Sequence, residues 1–471
     1  MPRRRIYLLS PRRLSPETIA VAFAKTSRSP ESFRQISSEL SAEKSARFHE
    51  KWVVGYGHAS VAEHAVLHIA IENVSRLAVE SIESNRLASF TEKSTRYQKW
   101  SLESFFVPCE LDGSSRREAY LQTCNLLFDT YARSLDPVRK LIENQEPRRP
   151  DETEEGYDRR IRSQYVDSCR FLLPAAALAN LGMTANARVL ENAIRKMLSH
   201  PLEEVRQIGA EIKRAALKSV PTLVKYAQAV PYLTETLQAF DQAVLKEASS
   251  EVNSDWCRLV DYDPEGESKI LACSLVRFSE MTFGEAMEAV QKASPSERRR
   301  MAALLLGKLD LHDTPLRELE HTSYTFDLLL DQGAYAELKR HRMMTQTPQA
   351  LTARLGYAVP RRMVEAGCEN AYRSAMQAAA ERYEDLATWN PQVAAYIVPN
   401  GFNRRVLFTL NLREVYAFCQ LRSARAAHFS MRRVALRVAQ EVRRVHPLLS
   451  QYMQLPEEPW QAVEKRYFSQ V

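Results

Sequence analysis

Glycine is scarce in this sequence, 13 of 471 residues. Few positions can take a left-handed turn without cost, and helical periodicity is frequent, so a fold built mainly of short strands and tight turns is excluded and helix is left as the dominant element. Cysteine is little used as well. The seven thiols, Cys109, Cys124, Cys169, Cys257, Cys273, Cys368 and Cys419, are scattered, odd in number and without a C-x-x-C pair. Neither a disulfide framework nor a zinc site is therefore expected, and no metal ligands are assigned. Long apolar runs are missing too: no stretch approaches the roughly 18 uninterrupted apolar residues that a membrane-spanning helix needs. After Ile6 to Leu9, charge returns at Arg12 and Arg13 before a signal-length apolar run can form, so no export signal is evident and a cytoplasmic protein without a membrane partner is the expectation. Nor is there a strong excess of one charge. With 65 basic against 58 acidic residues, the formal charge of +7 allows nucleic acid as a partner without demanding it, and a small phosphorylated ligand satisfies it equally well.

What is present is length and repetition. A chain of 471 residues with 45% hydrophobic content can bury two ordinary cores, since a single domain usually holds about 100 to 200 residues. Val205, Ile208, Ile212 and Ala216 have the spacing of a one-sided helix. The runs 65–71 and 324–330 read as strands, although short apolar runs are ambiguous.

An internal repeat organises the rest. The first half carries Glu63-His64, then Ser84-Asn85-Arg86, then Asn186-Ala187-Arg188, then a helix expected to end near Val220 to Leu223. The second half carries Glu320-His321, Arg340-His341-Arg342, Asn411-Leu412-Arg413, and a helix expected to end near His446 to Leu449. From Asn to Pro the separation is 35 residues (186 to 221) in one half and 36 (411 to 447) in the other, and from Glu-His to the arginine motif it is 23 (63 to 86) and 22 (320 to 342). Four landmarks in register point to two copies of one module. The first copy holds about 31 more residues between arginine motif and Asn, and the stretch at about 136–163, crowded around Glu143 to Ser163 with prolines and charges of both signs, reads as a surface insertion with little to bury. The expected division is a first module over 1–240, a linker over 241–270 and a second module over 271–471.

In Glu92-Lys93-Ser94-Thr95-Arg96, alternate residues would point to one side of an extended segment and could converge on one polar ligand. A guanidinium forks onto phosphate, a hydroxyl donates or accepts, and a carboxylate can hold a sugar hydroxyl or a ring amide. Arg340, His341 and Arg342 place three donors together, as a phosphate or pyrophosphate needs. Taken alone, the first cluster reads sooner as a solvated loop whose charges pair with one another, and the second as a helix-capping or surface cluster.

Taken together they resemble the flavin-dependent thymidylate synthases, whose signature is R-H-R-x-x-S-x-N-E-x-S-x-R-Y. The first copy matches at Arg86, Ser89, Glu92, Ser94, Arg96 and Tyr97 and departs at Ser84, Asn85 and Thr91, whereas the second supplies Arg340-His341-Arg342 and departs at Thr347, Pro348 and Ala350. The later family pattern, an Arg-x-x-Leu-Pro strand, Asn-x-Arg and a long helix, is matched by Arg170 to Pro174 and Asn186 to Arg188. In the second copy Ala395 replaces the first arginine, while the helix arginine expected eleven residues after Asn is Arg422 there and Met197 in the first copy. The losses are complementary.

The resemblance implies an α/β fold of the helix-rich α+β kind, two tandem modules each with a small sheet packed with long helices. It implies conversion of dUMP to dTMP with methylenetetrahydrofolate and reduced FAD, NADPH serving as a further co-substrate. One composite site would take Glu92, Ser94, Arg96 and Arg170 from the first copy and Glu337, Arg340, His341, Arg342 and Arg422 from the second. Arg422 and Ser94 would be catalytic, Arg422 polarising the uracil ring to favour loss of its N3 proton. Substrate would lie against Glu337, Arg340, Glu92, Ser94, Arg96, Arg170 and Arg422. FAD would lie against Ser60, Glu92, Asn186, Arg188, Asn192 and Arg340 to Arg342. The family is a homotetramer of single modules, so two chains of this length would form a pseudo-tetramer. Glu337 stands where the family usually has glutamine, which keeps open flavin-dependent modification of another pyrimidine or of a base in nucleic acid. A nucleotide- or RNA-binding module without turnover is also left open.

Overall fold

The structure, a computed structural model, describes Leu9, residues 11–26, Ser29, residues 31–243 and residues 255–471. The chain forms two compact units. Of the described residues, the first comprises those up to 94 together with 105–117 and 176–243, and the second comprises 95–104, 118–175 and 255–471.

In the first unit, β1 (Val66–Ser75), β2 (Ser89–Glu92) and β3 (Leu178–Asn186) form an antiparallel sheet in the order β1-β3-β2. The expected strand at 65–71 is thus present as β1. The helix Glu203–Ala216 buries Val205, Ile208, Ile212 and Ala216, the one-sided face that their spacing predicted. It crosses the helix Ala187–Leu198 closely enough that a Cβ on Gly209 would come within 2.7 Å of the Met197 Cβ, so glycine is needed there. The helix stops at Ala216 rather than near Val220 to Leu223, and the chain leaves it in turns before Pro221, which has no N–H with which to continue.

In the second unit, β4 (Cys257–Tyr262), β5 (Ser323–Asp331), β6 (Thr345–Pro348) and β8 (Asn403–Asn411) form an antiparallel sheet in the order β4-β5-β8-β6, while β7 (Val359–Pro360) pairs with β9 (Phe468–Gln470). Phe326 of β5 stacks on Phe408 of β8 at 5.3 Å between ring centres. The helix Phe429–Val445 buries Met431, Val434, Ala435, Val438 and Val442 in the same core.

The repeat is visible in register. The order β1-β3-β2 recurs as β5-β8-β6, with Val66 opposite Asn186 in one unit and Ser323 opposite Asn411 in the other. Each Asn caps the helix that follows, its Oδ1 accepting the backbone N–H of Val189 or Glu414 at 2.9 Å. Each Asn-x-Arg arginine then pairs with the carboxylate of its own Glu-His, Arg188 with Glu63 at 2.5 Å and Arg413 with Glu320 at 2.7 Å.

Three local expectations are corrected. The stretch 136–163, expected to have little to bury, belongs mostly to the helices Arg116–Gln145 and Glu154–Cys169, which bury Ile142 and Ile161, and its charges pair, Arg160 holding Glu146 and Glu152 at 2.8 Å. The Arg-x-x-Leu-Pro segment is a 3-10 turn, Arg170–Leu172, followed by a bridge between Pro174 and Pro399. Proline lacks the donor that a ladder requires. Of the expected linker, 244–254 lies outside the described residues, while residues 257–262 are β4 and the helix Gly266–Phe278 starts before Lys269.

Candidate functional site

The second unit gathers charged groups that come from distant parts of the sequence. Arg170 follows the helix Glu154–Cys169, Glu337 lies on the helix Gln332–Leu338, His341 follows that helix, and Arg422 sits in the last turn of the helix Leu412–Ser423. Glu337 is the hinge of the cluster. Its Oε1 accepts from Arg170 Nη2 at 3.2 Å and its Oε2 from Arg422 Nη1 at 3.3 Å, and Arg170 and Glu337 are 2% and 5% exposed. A carboxylate this deep is tolerable only because two cations share it. Arg170 also donates to the Thr95 hydroxyl at 3.2 Å.

The protonation of His341 follows from its partners. Arg422 Nε can only donate, and it lies 2.9 Å from His341 Nε2, so that nitrogen carries no proton. Nδ1 then holds the ring proton and donates to Glu414 Oε1 at 3.2 Å. Burial holds the imidazole below its ordinary pKa, with Glu414 opposing, in agreement with a neutral ring. Burial likewise lowers Arg422, against Glu337, and the like charges of Arg340 and Arg96 lower it further. An incoming anion would relieve that repulsion.

Arg96 is tied to Asp167 by two parallel hydrogen bonds, Nε to Oδ1 at 2.9 Å and Nη2 to Oδ2 at 2.8 Å. Burial opposes the Arg96 cation, but Asp167 outweighs it and raises its pKa. The Asp167 carbonyl accepts from His428 Nε2 at 3.3 Å, while His428 Nδ1 accepts the Ser430 N–H. Burial with Arg170 and Arg96 nearby keeps this second imidazole neutral.

Of the expected residues, Arg96, Arg170, Glu337, Arg340, His341 and Arg422 are thus electrostatically coupled within one unit, Arg340 being exposed and Arg342 half-buried. The others belong to the first unit. Glu92 closes β2 and binds Arg76 at 2.6 Å. The extended segment expected through Arg96 ends there: Ser94 is half-buried beyond the strand, and 95–97 form a turn. Asn186 and Arg188 make the cap and ion pair given above, and Asn192 is exposed. Ser60 lies in the 3-10 turn Ala59–His64 and lines a cavity of 740 Å³ with Trp52, His58, Glu63 and His64. Sequence reasoning missed Thr95, Asp167 and Glu414. No sequence signal marks the two carboxylates, since Asp167 meets Arg96 across 71 positions and Glu414 meets His341 across 73.

The family described as "Thymidylate synthase complementing protein" matches residues 11–222 and again 258–448. The chain belongs to this family. A UPF0159 protein of Chlamydia muridarum is 34% identical over 445 residues, 88% of this chain and 82% of that protein. A flavin-dependent thymidylate synthase of Clostridium tetani is 26% identical over 216 residues, covering 45% of this chain and 82% of that protein, the length of one module. The Helicobacter pylori flavin-dependent thymidylate synthase crystallised with FAD and dUMP is 17% identical with a TM-score of 0.33, covering 43% of this chain and 100% of that one.

Proposed function

We propose that the protein is a flavin-dependent thymidylate synthase that methylates dUMP at a site built around Glu337. The observation that carries this reading is one buried carboxylate shared by Arg170 from the first sequence repeat and Arg422 from the second. Each repeat has lost one of these arginines, and the survivors meet on the same acceptor.

In this reading Arg96, released in part from Asp167, and Arg340 bind the substrate phosphate. Arg422 faces the uracil ring. A fixed cation beside the ring stabilises the anion that forms when the N3 proton leaves, an effect worth a few kcal/mol where water is excluded. Neutral His341 orients Arg422 by accepting from Nε, and Glu414 fixes the tautomer that allows it. Glu337, an acceptor only, can take the N3–H of the ring. Arg340 and Arg342 have the chemistry for a flavin diphosphate, the two nitrogens of His341 being taken by Arg422 and Glu414, and FAD, when bound, supplies the redox step of methyl transfer from methylenetetrahydrofolate, with NADPH as hydride source. For Ser60, Glu92, Ser94, Asn186, Arg188 and Asn192 the assignment to nucleotide or flavin rests on the motif match.

One feature favours a second reading. A carboxylate at 337 replaces a group that could also donate, which suits a pyrimidine with an additional ring donor, and modification of such a base is the alternative. Release of tritium from [5-³H]dUMP, with methylenetetrahydrofolate and NADPH present, decides between them. Release should occur and should fall about 100-fold or more in Arg422→Ala. Unchanged release in that variant would remove Arg422 from the reaction, and no release from a flavin-loaded protein would favour the other pyrimidine.

A further inference from the structure

A cavity of about 1200 Å³ in the second unit is lined by eight arginines, among them Arg149, Arg159, Arg160 and Arg425, against four carboxylates. Its walls come from residues 146–167, around the connection between the helices Arg116–Gln145 and Glu154–Cys169, from the segment 425–432 and from the C-terminal residues 456–467. The choice of arginine over lysine is complete among the cationic lining residues. Guanidinium forks match phosphate and carboxylate oxygens in pairs, where an ammonium acts as a point charge.

Several of these cations are held in place. Arg362, Arg432 and Arg466 lie within 5.7 to 6.0 Å of the Tyr467 ring centre, and Tyr467 stacks on buried Phe429 at 4.8 Å. Arg432 is 5% exposed and its Nε has no hydrogen-bond acceptor among the described residues. Arg432 and Arg466 share one carboxylate, Glu458. Burial lowers the Arg362 pKa, with Glu146 and Asp167 opposing. Arg159 and Arg425, both exposed, form no ion pair or hydrogen bond through their side chains among the described residues. Such an excess of fixed, incompletely neutralised guanidinium repels itself until an anion arrives.

We propose that this cavity is a binding site for a small polyanion, a molecule with two or more neighbouring phosphate or carboxylate groups. It borders the Glu337 cluster and shares Arg96 and Asp167 with it, but Arg159 and Arg425 belong to this cavity and have no part in the proposed substrate site. The inference does not depend on the proposed methyl transfer.

Calorimetric titration of the full chain at low salt with ATP, inorganic triphosphate and triglutamate, using sulfate as reference, tests it. At least one of the three should bind at least tenfold more tightly than sulfate and weaken as salt is added. The double variant Arg159→Glu/Arg425→Glu should lose that binding tenfold or more while dUMP binding stays unchanged. Binding of both phosphates without triglutamate identifies a phosphate ligand, and the converse identifies a carboxylate ligand. If none of the probes surpasses sulfate, or the double variant binds as the parent does, the site is refuted. Loss of dUMP binding in the parent would count against the proposed function and leave this result standing.

Discussion

At the scale of the residue, Glu337 is where Arg170 and Arg422 meet on one carboxylate. It holds two arginines, one of them 2% exposed, and burying charge is compensated only while the partners stay together. Glu337→Ala would strand both guanidinium groups and is expected to destabilise the chain by roughly 3–5 kcal/mol. Glu337→Gln keeps an acceptor in the same volume and should cost less. Urea denaturation of the three proteins measures this, and a loss below about 1 kcal/mol in the alanine variant would mean that the cations find other partners. The motif residues of this cluster could be read from the sequence because each family position carries a distinctive side chain. Their counterparts Asp167, Thr95 and Glu414 could not. A pairing carboxylate has no residue pattern of its own, and only folding brings Asp167 to Arg96 across 71 positions.

At the scale of the element, alternation and one-sided spacing disclosed β1, β5 and the helix Glu203–Ala216, because each has one buried face. What could not be read was set by backbone chemistry and by partners far off in sequence. The Leu-Pro segment is a strand by the family pattern, yet it forms a turn and, at Pro174, which lacks a ladder donor, a single bridge. The stretch 136–163 looks unburiable by charge content, yet Arg160 is paired with Glu146 and Glu152, both in the connection between its two helices. The two Asn-x-Arg motifs show how one element serves both units: asparagine starts the helix and arginine fastens it to the preceding Glu-His turn. Asn411→Ala should therefore cost about 1 kcal/mol of stability, the usual worth of such a cap, with the helix carrying Arg422 loosened at its first turn. Hydrogen exchange of the Leu412 to Val415 amides reads this directly, and undiminished protection would show that the cap is dispensable.

At the scale of the whole molecule, two copies of one module have diverged by opposite losses. The position of Arg422 is occupied in the first copy by Met197, 2% exposed and packed where Gly209 lets the next helix approach. That place is now hydrophobic core, and returning a cation to it would cost burial energy without a carboxylate to meet it. The position of His341 is taken by Asn85, whose Oδ1 accepts from Lys196 at 3.4 Å, and Arg340 has become Ser84. The Arg340-His341-Arg342 run and the helix arginine at 422 therefore exist once per chain. Saturating binding of FAD should accordingly reach one flavin per 53.9 kDa chain, measured from flavin absorbance against protein concentration. If the chains pair as single modules do in fours, the assembly should have twice the chain mass by light scattering. Two flavins per chain would mean that the first copy binds cofactor without the residues that the second has kept, and the division of labour between the repeats would have to be abandoned.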